Sequence, residues 1–182
     1  MSARFRLRSA TAEVHERLDA LYSRFDLADR DDYGRFLVAH APAFTGVEEA
    51  LDAAGATGIM EDWSERRRSD ALHEDLAELG LATPAPLAAP AFRGEAELLG
   101  ALYVLEGSRL GGAMLVRSVG EGLPTRFLTP GNPAAWRAFI AIVDERLSSE
   151  ERLDAAIRAA SAVFELFERS ALAALEPIGR DD

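Results

Sequence analysis

Apolar residues recur at helical spacing through almost the whole chain. Leu7, Val14, Leu18, Leu21 and Phe25 share one face of an amphipathic first helix. A second pattern begins after Asp29 and runs through Phe36, Leu37, Phe44, Val47 and Leu51 to Gly55. Asp29 suits its N-cap and Gly55 its C′ stop, and Pro42 inside it predicts a kink. A third helix is expected over about Trp63 to Leu79, closed by Gly80. The stretch Ala82 to Pro90 holds three prolines and reads as a loop. A fourth helix, about Glu95 to Val119, is apolar on most sides, which predicts a central position. Asn132-Pro133 starts a fifth, with proline at N1. Ser148-x-x-Glu151 has capping-box spacing and starts the last, which buries Leu153, Ile157, Val163, Phe164 and Phe167. No segment alternates as a strand should. The expected fold is an all-α, single-domain helical bundle over residues 1–182.

Composition narrows the chemistry. The chain has 182 residues, 31 acidic and 20 basic side chains and a net charge of −11. That length can bury a substantial core. The absence of cysteine excludes disulfides, zinc fingers, iron–sulfur clusters and thiol catalysis. Every basic residue is arginine, so lysine Schiff bases and P-loop phosphate binding are excluded too. The acidic balance argues against nucleic acid as a partner. No apolar run is long enough for a bilayer, and the N-terminus lacks a secretory apolar region. The expectation is a cytoplasmic protein without a membrane partner.

Two places ask for more than helix packing. His15 lies at the edge of the Val14/Leu18 stripe, with Arg8 seven residues earlier on the same face and Thr11 between them. A core-edge imidazole below a cation suits a metal-bound cofactor that carries carboxylates. It also suits a partly buried core histidine beside a surface arginine. His40 and His73 have no such arrangement and read as structural or solvated. The second place is Tyr103-Val104-Leu105-Glu106-Gly107-Ser108-Arg109-Leu110-Gly111-Gly112-Ala113. Each helical glycine costs roughly 1 kcal/mol relative to alanine. Gly107 and Gly111, four apart, clear one face for a close neighbour. That neighbour is a second helix, or a flat ligand across a bendable helix; a plain break at Gly111-Gly112 is the third reading. Together, an imidazole on one helix and a bare face on another describe a sandwich whose filling would be heme.

At this point the chain resembles a bacterial heme oxygenase. The resemblance rests on Leu7-Arg8-x-x-Thr11-x-x-x-His15-x-x-Leu18 and on Tyr103-Val104-Leu105-Glu106-Gly107-Ser108-x-Leu110-Gly111-Gly112. Arg66-Arg67-Arg68, Leu72, Asp75-Leu76 and Leu79-Gly80 are similar to the family's middle segment. The resemblance implies heme held between the first helix and a glycine-kinked distal helix, as both substrate and prosthetic group. It implies cleavage by O2 and external electrons to biliverdin, carbon monoxide and ferrous iron. His15 then matches the proximal iron ligand, and Gly107, Ser108, Gly111 and Gly112 the distal catalytic stretch. Arg8 matches a position near a propionate, Thr11 lies in the same motif, and Tyr103 approaches the macrocycle edge. Many members carry aspartate where Ser108 stands, so the distal water is organised differently here. Arg137 is a weaker candidate for a second propionate contact. Expected partners are an electron donor (a reductase or ferredoxin) and a bilin-binding photoreceptor as one product acceptor.

Two other functions fit parts of the pattern. A non-catalytic heme-binding or heme-sensing protein of the same fold would share both motifs. A histidine-phosphotransfer module is also all-α with one helical histidine, but leaves the glycines unexplained.

Overall fold

The computed structural model describes residues 2–176, which form eight α-helices and two short 3-10 turns without a strand. The helices are α1 (Ala3–Ala10), α2 (Ala12–Tyr22), α3 (Arg30–Ala53), α4 (Trp63–Arg66), α5 (Ser69–Glu78), α6 (Glu95–Leu115), α7 (Pro133–Arg146) and α8 (Glu150–Leu175). The all-α expectation holds, and local chemistry moved several boundaries.

The first predicted helix is two. Thr11 sits between α1 and α2 with φ −101° and ψ 3°, and its buried hydroxyl donates to the Leu7 carbonyl at 2.9 Å. Such back-bonding bends a helix without ending its register. Thr11 N still donates to Leu7 O and His15 N to Thr11 O, both at 3.0 Å. Asp29 caps α3 as expected, accepting from Asp31 N and Asp32 N, and Gly55 follows the helix with φ 81°. Pro42 lies inside α3.

The third predicted helix is also divided. Glu48, buried on α3, accepts from Arg68 N at 2.7 Å and Ser69 N at 3.1 Å, satisfying the first amides of α5 from outside it. A carboxylate 20 residues away fixes this break, so the local pattern could not show it. The proline-rich stretch stays irregular and crosses α3 at Gly46, where a Cβ would collide with the Leu87 carbonyl.

Asn132 caps α7 by accepting from Ala134 N. The last cap lies one residue beyond the expected capping box: Ser149, not Ser148, accepts from Arg152 N.

Helix α8 packs against α6, α3, α2 and α1. Gly100 is where α6 and α8 touch, since a Cβ there would collide with the Ala156 carbonyl. The predicted central helix is central only in its first half. Leu98, Leu99, Leu102, Val104 and Leu105 are buried, whereas Leu110, Met114 and Leu115 are exposed. Among the described residues no helix is long and apolar enough to cross a membrane.

Candidate functional site

His15 projects from α2 with its side chain about half exposed. Its ring meets Phe164 of α8 edge-on at 5.5 Å. Its Nδ1 lies 3.1 Å from Asp19 Oδ2, one turn along. A carboxylate there selects the Nδ1–H tautomer and leaves the Nε2 lone pair outward, the arrangement that metal-ligating histidines use. Nε2 has no hydrogen-bond partner among the described residues.

The glycines of α6 divide into two kinds. A Cβ on Gly111 would meet no protein atom within 4 Å, and one on Gly107 only the edge of Trp136 at 3.8 Å. Gly112 is buried against Leu128, 3.6 Å from a Cβ built there. The helix continues through all three, with no positive φ at any. Close packing against a second helix and a plain break are therefore both absent at Gly107 and Gly111. The bare face is flanked by exposed Leu110, Met114 and Leu115.

Ser108 is tied into the protein on the same helix. Its hydroxyl donates to Leu105 O at 2.7 Å and accepts from Arg68. The buried Arg68 guanidinium also donates to Leu105 O at 2.9 Å and lies over the Phe44 and Phe127 rings at 4.6 and 5.3 Å. Burial pulls Arg68 down to about 9, with the Arg109 charge adding to the effect, so it stays a cation at neutral pH. Asp75, fully buried, accepts from Phe127 N at 2.9 Å and so fixes that ring.

His40 joins the two sides. It stacks on Tyr22 at 4.0 Å, meets Phe127 at 5.5 Å, and lies 6.2 Å from Phe167, one turn along α8 from Phe164. Contacts thus run from Phe167 through His40 and Phe127 to Arg68 and Ser108, while Phe164, one turn from Phe167 on α8, meets His15. Burial pushes His40 down to about 4 against the pull of its Phe36 carbonyl contact, with Arg68 lowering it further. The neutral ring donates from Nδ1 to Phe36 O at 2.9 Å. His73 lies apart, with Nε2 3.0 Å from the Thr45 hydroxyl.

Tyr103 lies 6.0 Å from Trp136 at the rim. Burial pushes its phenol up, while the nearby Arg4 and Arg8 charges pull it down. Arg8 is exposed and forms no ion pair among the described residues. Thr11 is enclosed, its hydroxyl spent on Leu7 O. Arg137 is exposed on α7, and no contact brings it to the bare face. A recess of about 400 Å³ opens along α6 at Glu106, Arg109, Leu110 and Ala113 and reaches Trp136, the neighbour of Gly107. Its Arg66 and Arg109 already pair with buried Glu106.

Sequence reading passed over Asp19, took His40 as structural or solvated, and met Arg68 only as part of an arginine run. Asp19 carried a signal, being four residues from His15. The other two become visible only through contacts between distant helices.

The chain is 36% identical over 156 residues to a heme oxygenase of Xanthomonas campestris, covering 82% of this chain and 94% of that protein. It belongs to the heme oxygenase family. A second heme oxygenase relative, PigA of Pseudomonas aeruginosa, is 33% identical over 175 residues, covering 89% of this chain and 87% of its own. The fold agrees with the heme oxygenase of Neisseria meningitidis, solved with NO and CO bound, at a TM-score of 0.82 and 23% identity over 96% of this chain and 92% of that one. The heme oxygenase of Leptospira interrogans superposes with a TM-score of 0.71 at 18% identity, covering 94% and 98%. No family model matches the chain. The donor set suits heme: one imidazole with its Nδ1 held by a carboxylate, an uncovered glycine face, and exposed apolar side chains beside it.

Proposed function

We propose that this chain cleaves heme oxidatively to biliverdin, carbon monoxide and ferrous iron, using O2 and external electrons. What supports the reading is the presence in one fold of His15, held at Nδ1 by Asp19, and of an α6 face that no protein atom covers at Gly111. When bound, heme supplies the iron chemistry of oxygen activation; the protein supplies position, a dry wall and hydrogen bonds.

His15 Nε2 would hold the heme iron. Gly107 and Gly111 let a flat macrocycle lie close to the backbone of α6, and Gly112 fixes that helix to the segment at Leu128. Where many members carry aspartate, Ser108 presents a hydroxyl whose direction Arg68 sets. The Ser108 oxygen keeps one lone pair beyond its two bonds and uses it to orient water on that side. Arg8 and Tyr103 would hold the propionates. Thr11 acts through the backbone, keeping Arg8 and His15 in one register. We assign the whole chain to one domain and place it in the cytoplasm. Electrons come from a reductase or ferredoxin, and a bilin-binding photoreceptor is one acceptor of the product.

The test is aerobic incubation of the hemin complex with ascorbate or a reductase, followed by chromatography. Biliverdin is the expected product. Recovery of intact heme after electron delivery leaves the non-catalytic heme-binding function instead.

A further inference from the structure

Heme has propionates on two neighbouring pyrroles, whereas the motif containing His15 supplies one cation, Arg8. The α1–α2 joint supplies another. Because both amides around Thr11 keep their bonds four residues back, α1 and α2 share one helical register. At 3.6 residues per turn, Arg4, Arg8 and His15 then point within about 40° of one another. Arg4 and Arg8 stand one turn apart, about 6 Å along the axis. On the far side of the same helix Arg6 pairs with Glu150, but neither Arg4 nor Arg8 forms a side-chain ion pair among the described residues. Asp144 accepts from the backbone N of Arg4 and so anchors α1, and the Arg4 guanidinium makes no ion pair with it.

We propose that Arg4 is the second propionate clamp, and that Arg4 and Arg8 together receive the two carboxylates and fix the rotation of the macrocycle in its plane. This rests on the functional reading above and adds a residue to it. Tyr103 closes the receiver from α6. Burial raises its phenol, and the Arg4 and Arg8 charges both pull it back down. Two cations one turn apart, with a phenol donor opposite, select a porphyrin with adjacent acidic side chains over one whose acids are blocked. Arg137, the candidate from sequence, has no comparable placement.

The test compares hemin with hemin dimethyl ester, whose propionates carry no charge. Release of each to apomyoglobin is timed for wild type, Arg4→Ala and Arg4→Lys. Arg4→Ala should speed hemin release about fivefold, the effect of losing about 1 kcal/mol from one partly exposed charged contact. Arg4→Lys should recover most of that, and neither variant should alter release of the ester. Equal acceleration of hemin and ester, or no acceleration of hemin, overturns the proposal.

A second readout needs no heme. Tyr22 and Tyr33 are pushed far up by burial, so Tyr103 should ionise first in an alkaline absorbance titration. Its midpoint should rise in Arg4→Ala; an unmoved midpoint also overturns the placement. If wild-type hemin shows no His15-dependent spectrum, the functional reading falls and the clamp with it. If that spectrum is present and Arg4 is silent, only the clamp falls.

Discussion

The guanidinium of Arg68 donates to the hydroxyl of Ser108 across 40 residues of chain, joining the loop before α5 to the bare face of α6. The contact holds a short polar side chain in one direction, three residues before the uncovered Gly111. It also leaves a cation inside the protein, faced by two aromatic rings and bonded to one carbonyl and one hydroxyl.

Removing that cation should destabilise the fold. Arg68→Ala opens space between Phe44 and Phe127 and strips a donor from Leu105 O and Ser108, for an expected loss of about 2–3 kcal/mol. Arg68→Lys keeps the charge without the fork and should lose about half as much. Urea unfolding of the apoprotein measures both. A loss under about 0.5 kcal/mol in Arg68→Ala would show that the buried cation contributes little.

His40 should make stability depend on pH. Its folded value of about 4 lies below the ordinary 6.5, so between those values the unfolded chain binds the proton that the native ring refuses. The contribution is complete above pH 6.5 and is lost as pH falls towards 4, to a total of about 3 kcal/mol. His40→Gln should flatten that slope between pH 4 and 6.5. Unfolding free energies at pH 5 and pH 7 decide the matter, and an unchanged slope in the variant would assign the effect to other groups.

The helices, the loop and the two motifs were legible because they are local. Periodicity marks the faces, Asp29 and Asn132 announce caps, and Gly107/Gly111 advertise a cleared face. What escaped depends on groups far apart in sequence. Glu48 caps the start of α5 from another helix, so a periodic pattern ran straight through the break. The apolar residues at the end of α6 suggested a buried helix, yet Leu110, Met114 and Leu115 face outward beside the bare face. Arg68 looked like one of three consecutive arginines; only packing shows that it points inward and reaches Ser108.

Two glycines on one helix should respond in opposite ways. Gly111→Ala adds a methyl group that meets no protein atom and gains helix propensity, so the apoprotein should be stabilised by up to about 1 kcal/mol. Hemin should then bind less well, because the methyl intrudes on the bare face. Gly100→Ala would drive a methyl group into the Ala156 carbonyl and should cost about 2 kcal/mol or more. Thermal melts with and without hemin separate the two. Destabilisation of the apoprotein by Gly111→Ala would mean that this face packs against protein.

Asp19 should tune the axial bond. A carboxylate at Nδ1 makes Nε2 a stronger donor, and loss of such a partner typically costs 10–100-fold in metal affinity or activity. Asp19→Asn should lower the iron–histidine stretching frequency of the ferrous complex in resonance Raman, with hemin still bound. An unshifted frequency would leave Asp19 as a surface charge only.

If heme is opened on this chain while His15 holds the iron, single-turnover release of carbon monoxide must depend on His15. Hemin complexes of wild type and His15→Ala are given ascorbate in air, and the gas is counted per heme. The account predicts close to one carbon monoxide per heme from wild type, with loss of the heme absorbance, and little or none from His15→Ala. Intact heme and no carbon monoxide from wild type, or equal release from His15→Ala, would contradict it.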